Sequence, residues 1–206
     1  MVTDANGYYL FRNLPASDYI VRVNTPAGYA SSTPNAGDPD TDVDDSDDNG
    51  SVLAGSTVSS VAVTLGPGAT EPANEVDVAP TGQGGADTRS NMTVDFGFFQ
   101  PVSVGDYVWY DLNNNGVQEA GEPPVPFAVV TLLDPNGNPV TDASGNPVPS
   151  VTTNSTGAYT FTNLPPGDYV IRVTPPTAYE ATPVNGGAPD HNPNTTDTNG
   201  SQTHKR

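Results

Sequence analysis

The chain has 206 residues, with 24 Asp and Glu against 6 Lys and Arg, a formal charge of -18, 21 Gly, 22 Pro and no Cys. Without cysteine there is no disulfide framework, thiolate metal site or cysteine nucleophile, so any staple is a bound ion or packing alone. Such acidity repels phosphate backbones and anionic lipid and attracts cations, which argues against nucleic acid as a partner; with no apolar run long enough to span a bilayer, membrane insertion is not expected either.

Gly and Pro together make up about a fifth of the residues, high for a helical protein, while 9 Tyr, 6 Phe and 1 Trp fall in short alternating segments. In chain order, Leu14-Pro-Ala-Ser-Asp18-Tyr19 reads as a turn feeding a strand whose Tyr packs a sandwich corner. An acidic loop follows, with Asp38, Asp40, Asp42, Asp44, Asp45, Asp47 and Asp48. Val61, Val63 and Leu65 share one face of a predicted strand, as do Met92, Val94, Phe96 and Phe98 of another. Residues 104–110, 127–133, 158–161 and 168–173 predict further strands, with turn signals at Pro135-Asn-Gly137 and Ser144-Gly-Asn146. No stretch of ten residues carries helical spacing, so the expected fold is all-β, a sandwich of short strands with long acidic loops.

An internal repeat sets the organisation: residues 3–51 align with 153–201 at a constant offset of 150 without a gap. Gly7, Tyr9, Phe11, Asn13, Leu14, Pro15, Asp18 and Tyr19 recur as Gly157, Tyr159, Phe161, Asn163, Leu164, Pro165, Asp168 and Tyr169, and Asn49 recurs as Asn199. Residues 102–150 have no copy near the N-terminus and 52–99 none near the C-terminus. A full unit therefore reads front (102–150), middle (151–201), back (52–99), and this chain runs middle, back, front, middle. The expected domains are 1–100, the C-terminal part of one repeat, and 101–206, the N-terminal part of the next, out of register with a longer tandem array.

The sharpest motif is Asp111-Leu-Asn113-Asn-Asn115-Gly116-Val117-Gln-Glu119-Ala-Gly-Glu122, which satisfies the twelve-residue calcium-loop pattern. Calcium takes six to eight hard oxygens. Asp111, Asn113 and Asn115 supply side-chain donors, Gly116 permits the turn, Val117 offers its carbonyl, and Glu119 and Glu122 close the shell. Pro123, Pro124 and Pro126 forbid an exiting helix, so the loop is expected without the EF-hand fold. In the acidic loop, the alternation of Asp38, Asp40, Asp42 and Asp44 suits a segment wrapping an ion with every second side chain, the alternative being a solvated acidic surface. Enzyme constellations are thin: the two His lie at 191 and 204, and neither a nucleophile elbow nor a phosphate-binding loop occurs. Glycosylation sequons such as Asn91-Met-Thr93 are of the number chance produces in so Asn- and Thr-rich a chain.

The run Val104-Gly-Asp-Tyr-Val-Trp-Tyr-Asp111-Leu-Asn-Asn-Asn-Gly116, with Gly157-Ala-Tyr-Thr-Phe161, Leu164-Pro-Pro-Gly-Asp-Tyr169 and Asn91-Met-Thr-Val-Asp-Phe-Gly-Phe98, resembles the B-type repeat of serine-aspartate repeat surface adhesins. That family is related to the B-type stalk domains of collagen adhesins. The resemblance covers nearly the whole chain in permuted order. It implies a transthyretin-like or immunoglobulin-like β-sandwich, repeated along a secreted or cell-surface stalk and rigidified by calcium. The implied calcium positions are Asp111, Asn113, Asn115, Val117, Glu119 and Glu122, with further ions around 38–48. The sole Lys is Lys205, in the tail, so an internal Lys to Asn isopeptide bond is not expected. The expected role is a non-enzymatic, calcium-stiffened spacer whose partners are neighbouring repeats. The alternatives are a module binding host or matrix protein or glycan, with Tyr107, Trp109 and Tyr110 as its aromatic surface, and a strand-complemented fibre subunit associating head to tail.

Overall fold

Short Asx turns punctuate the chain. In each, a side-chain oxygen accepts two backbone N–H groups and a glycine three residues on takes the positive φ that other residues avoid. Asp4 holds Asn6 and Tyr8 (2.8 and 3.0 Å) with Gly7 at φ 92°. Its repeat partner Asn154 holds Thr156 and Ala158 (2.9 and 3.0 Å) with Gly157 at φ 78°. Asp134 and Asp142 do the same at the two turn signals, and the donated hydrogen bonds, those of Asn138 and Asn146 foremost, hold both carboxyls below their ordinary range.

A computed structural model describes residues 1–32, 39–40, 48–52, 57–66, 90–177, 179–182 and 202–205. The chain divides into two compact units, Met1–Gln100 and Pro101–Arg206. All regular structure among the described residues is β, as the sequence leads one to expect.

The first unit holds β1 (Ser17–Tyr19), β2 (Arg22–Asn24), β3 (Ala30–Ser31), β4 (Ser51–Val52), β5 (Thr57–Ser59), β6 (Val63–Leu65) and β7 (Phe98–Phe99). β1 pairs with β6, β3 with β7, and β2, β5 and β4 form a three-stranded sheet, all antiparallel. Two expectations change here. The strand predicted at 92–98 is confined to β7, because side chains rather than a ladder hold 91–95: Asn91 Nδ2 donates to the Pro39 carbonyl (2.6 Å), Thr93 N–H to Asn91 Oδ1 (3.1 Å) and Asp95 N–H to Asn49 Oδ1 (2.6 Å). Val61 precedes β6 and stands 51% exposed, so the buried face begins at Val63.

The second unit holds β8 (Val102–Tyr107), β9 (Val129–Leu133), β10 (Val151–Thr152), β11 (Ala158–Leu164), β12 (Val170–Thr174), β13 (Tyr179–Thr182) and β14 (Gln202–Lys205). β8 pairs with β11, while β10, β9 and β12 form a second antiparallel sheet. The inward residues of both sheets meet in one core: Val130 and Leu132 of β9 against Phe161 and Leu164 of β11, flanked by Val104, Ile171 and Val173. This is a sandwich. Within the β8–β11 pair Gly105 lies close against its neighbour, since a Cβ there would run into the Tyr159 carbonyl and Thr160. Thr153, 1% exposed, ties the connection ahead of β9 by accepting from Ala128 N–H (2.9 Å) and donating to the Val125 carbonyl (2.8 Å).

The corner expected from the two Leu-Pro segments forms in both units. Tyr19 and Tyr169 each donate their hydroxyl to the proline carbonyl four residues earlier, Pro15 at 2.7 Å and Pro165 at 2.6 Å. The equivalent Asn13 and Asn163 both sit at φ 58°. Local conformation therefore follows the repeat, but burial does not: Leu164 is 0% exposed and Leu14 40%.

Leu164→Ala is expected to destabilise the second unit by about 2–5 kcal/mol, and Leu14→Ala the first by under about 1 kcal/mol, in urea melts of the two variants. Equal losses would contradict the difference in packing.

Candidate functional site: the loop at 111–122

The loop leaves β8 and returns toward β9, so it crosses between the two sheets of the second unit. Backbone pairing clasps its stem: Tyr110 N–H donates to the Pro123 carbonyl (2.8 Å), Val125 N–H to the Val108 carbonyl (2.9 Å), and Trp109 bridges Pro124. Beneath the stem, Val108, Val125 and Ala128 form a small buried cluster against which Tyr110 packs.

Within the loop, side-chain oxygens turn inward onto backbone amides. Asp111, 0% exposed, accepts Gly116 N–H at Oδ2 (2.8 Å) and Asn115 N–H at Oδ1 (3.2 Å). Asn113 Oδ1 accepts Asn115 N–H (3.1 Å), and Asn115 Oδ1 accepts Val117 N–H (2.7 Å). The two glutamates fold back over the same turn. Glu122 accepts Leu112 N–H (2.9 Å) and Glu119 N–H (2.9 Å), and Glu119 accepts the side-chain amides of Asn113 (2.7 Å) and Asn115 (3.3 Å). Asn114 at φ 58° and Gly116 at φ 74° provide the left-handed turn that brings these groups round. Burial raises the nearby Tyr107 phenol above its ordinary value, and the charges of Asp106 and Glu122 add to that.

The structure thus gathers Asp111, Asn113, Asn115, Glu119 and Glu122 into one interconnected turn, and Val117 joins it through its N–H. The donor set is entirely oxygen, mixed between carboxylate and amide. Among the described residues no three His, Asp or Glu side chains cluster closely enough to hold an ion by themselves, so any cation here would depend on the Asn oxygens. No Lys or Arg occurs anywhere between residues 101 and 171 to neutralise the three carboxylates.

Of the acidic loop, Asp38, Asp42 and Asp44 lie outside the described residues. Asp40 is half-buried and its Oδ1 accepts Thr64 N–H (2.6 Å). Buried Asp48 accepts Gly50 N–H (2.9 Å), and Asn49 exchanges hydrogen bonds with Asp95, N–H to carbonyl at 3.0 Å and Oδ1 to N–H at 2.6 Å. Composition and spacing do not mark Asn49, Asn91 and Asp95 as neighbours of this loop. The recurrence of Asn49 as Asn199 was the available signal. The aromatic residues proposed as a ligand surface are turned inward in part: Trp109 is 8% exposed and lies 5.8 Å from the Tyr107 ring.

Two units of antiparallel β-structure, built on one repeated sequence and carrying an oxygen-lined acidic loop, define a tandem-repeat β-domain protein. The SdrD B-like domain model matches residues 1–79 and 102–206, and the chain belongs to that family. It is 32% identical over 186 residues to serine-aspartate repeat-containing protein F of Staphylococcus epidermidis, covering 90% of this chain and 9% of that protein. It is likewise 32% identical over 189 residues to serine-aspartate repeat-containing protein D of Staphylococcus aureus, covering 91% of this chain and 11% of the relative. The chain therefore spans about a tenth of the length of these relatives. A similarity of TM-score 0.32 and 14% identity links it to the major pilin subunit of Bacillus cereus, over 93% of this chain and 56% of the pilin.

Removing the Asp111 carboxylate takes an acceptor from the Gly116 amide and one from the Asn115 amide, which keeps Asn113 Oδ1. Asp111→Ala is expected to cost the second unit about 1–3 kcal/mol even in EDTA, read by denaturant unfolding; an unchanged midpoint would mean that the turn does not depend on Asp111.

Proposed function

We propose that this chain is a non-enzymatic structural spacer, a piece of a repeat array on a secreted or cell-surface adhesin, in which calcium at the 111–122 loop stiffens the unit. The observation that carries the reading is the loop itself, four oxygen-bearing side chains gathered with the fully buried Asp111 carboxylate in one turn, inside a sandwich whose sequence is tandemly repeated. Asp111, Asn113, Asn115, Glu119, Glu122 and the Val117 carbonyl would hold the ion, a hard-oxygen set of the kind calcium takes. A divalent cation would offset three carboxylates that no basic residue nearby in sequence balances. Its effect on function would be mechanical, because the loop joins the two sheets and an ion that binds only the folded loop stabilises that junction. Asp38, Asp40, Asp42 and Asp44 are proposed as a second place for cations. The partners are neighbouring repeats of the same array; the inward-turned Trp109 gives no support to a ligand-binding aromatic face.

At a hundredfold excess over Kd, one site adds about 2.7 kcal/mol, which raises the Tm of a unit this size by roughly 10–20 °C. Thermal unfolding in millimolar calcium, in EDTA and in magnesium is expected to show that rise with calcium only. Glu122→Gln, which removes a charge and leaves one oxygen to accept where the carboxylate had two, is expected to abolish most of it. Equal melting in all three solutions would remove calcium from the mechanism.

A further inference from the structure

We infer that the first unit is an acceptor for a two-strand segment of the pattern seen in residues 102–133, bound as an extended insert along residues 8–14 and the outer edge of β2. The observation is that two apolar residues shared by the repeat have opposite exposure in the two units. Phe161 and Leu164 are 3% and 0% exposed, whereas their repeat partners Phe11 and Leu14 are 45% and 40% exposed. In the second unit they are covered by Val104 of β8 and by Val130 and Leu132 of β9. In the first, residues 8–14 belong to no strand and border a groove of about 370 Å³ lined by Tyr9, Phe11, Leu14, Ile20, Val63 and Leu65.

Hydrogen-bond parity shows that the β2 edge facing this groove is the one such a segment would take. Along an antiparallel strand, successive residues direct their N–H and C=O groups to opposite edges. In the first unit Ser60 N–H donates to the Val21 carbonyl (3.0 Å), so residues 21 and 23 face β5. In the second unit Thr153 N–H donates to the Ala128 carbonyl (2.9 Å), so 128, 130 and 132 face β10 while 129, 131 and 133 face residues 174, 172 and 170 of β12. By the offset of 150, these are residues 24, 22 and 20, on the edge of β2 away from β5. The two units therefore display the two opposite edges of the same repeated strand, and among the described residues the first shows no neighbour of the β9 kind.

The second unit also prescribes the register. Carried over by 150, the pairing of β11 with β8 sets Tyr9 opposite an Asp106-type position, Leu10 opposite Gly105, Phe11 opposite Val104 and Leu14 opposite Val102. Asn13 and Asn163 share φ 58°, so residues 8–14 already have the bend that this pairing requires. Specificity comes from the glycine, because a Cβ at 105 strikes the backbone of the facing strand, whereas Val104 beside it packs on the core. The occupant is a segment of this pattern that is not yet paired, rather than residues 102–133 of a second copy. Those are already bonded to their own β11 and β12, and a swap would exchange equal contacts for no gain.

The test adds a peptide of residues 101–134 to the full chain and follows backbone amide exchange. Saturable one-to-one binding is expected, with exchange at Ile20, Arg22 and Asn24 slowed at least about tenfold while Val21 and Val23 hold their rates. A Gly105→Val peptide is expected to bind at least about tenfold more weakly, and Leu14→Asp in the chain to lose binding of the unaltered peptide. Absence of binding, protection at 170–174 in place of 20–24, or equal affinity of the Gly105→Val peptide would each overturn the proposal. So would peptide-independent dimerisation that protects the same amides, since the occupant would then be a second copy.

Discussion

The second unit depends on carrying the chain from one sheet to the other without a helix. β8 lies in one sheet and β9 in the other, and the crossing of some twenty residues between them has no ladder of its own beyond the short stem. Backbone amides in such a crossing must find acceptors. Asp111 at 0% exposure anchors the solution: its carboxylate and the side-chain oxygens of Asn113, Asn115 and Glu122 accept the amides of 112, 115, 116, 117 and 119, while Glu119 holds the Asn113 and Asn115 side-chain amides. The turn concentrates negative charge at the point where the sheets are joined, which makes the same residues both the structural closure and the natural seat of a cation.

A second constraint acts on the strands. A sandwich strand offers two edges and one inward face, and each needs a partner. In the second unit β12 finds β9 on one edge, and the core closes around Val130, Leu132, Phe161 and Leu164. In the first unit the equivalent β2 finds β5 on its other edge, and Phe11 and Leu14 stand open. One repeated sequence thus yields two different degrees of closure, decided by which long-range segment accompanies it and not by local preference.

Much of this was legible in the residues. The offset of 150 announced matched local structures, and the paired tyrosine corners and the shared φ of Asn13 and Asn163 follow it closely. The spacing of Asp111, Asn113, Asn115 and Gly116 announced a turn of inward-facing oxygens. The Asx turns were only half read: Asp4 and Asn154 precede glycines in the same way as Asp134, but only the last region was marked. What the residues did not reveal is non-local. The residues that Phe11 and Phe161 share around them, Tyr-x-Phe-x-Asn-Leu-Pro, do not carry the difference, because exposure is set by a strand from elsewhere. The alternation at 92–98 promised a strand, yet the Asn and Thr side chains between the apolar residues took over the hydrogen bonding of 91–95. Thr153, the buried link between the Val125 carbonyl and the Ala128 amide, stands in a polar run that gave no sign of it.

The most direct test of the central claim is residue-resolved. Calcium is titrated into the chain at constant ionic strength while the backbone amide resonances of Asn115, Gly116 and Val117 are followed, with magnesium as the parallel titration. The account predicts large, saturable shifts confined to this turn and produced by calcium alone. Small shifts spread over all acidic segments, and equal for the two cations, would mean that the ions merely screen charge and that the 111–122 loop is not a calcium site.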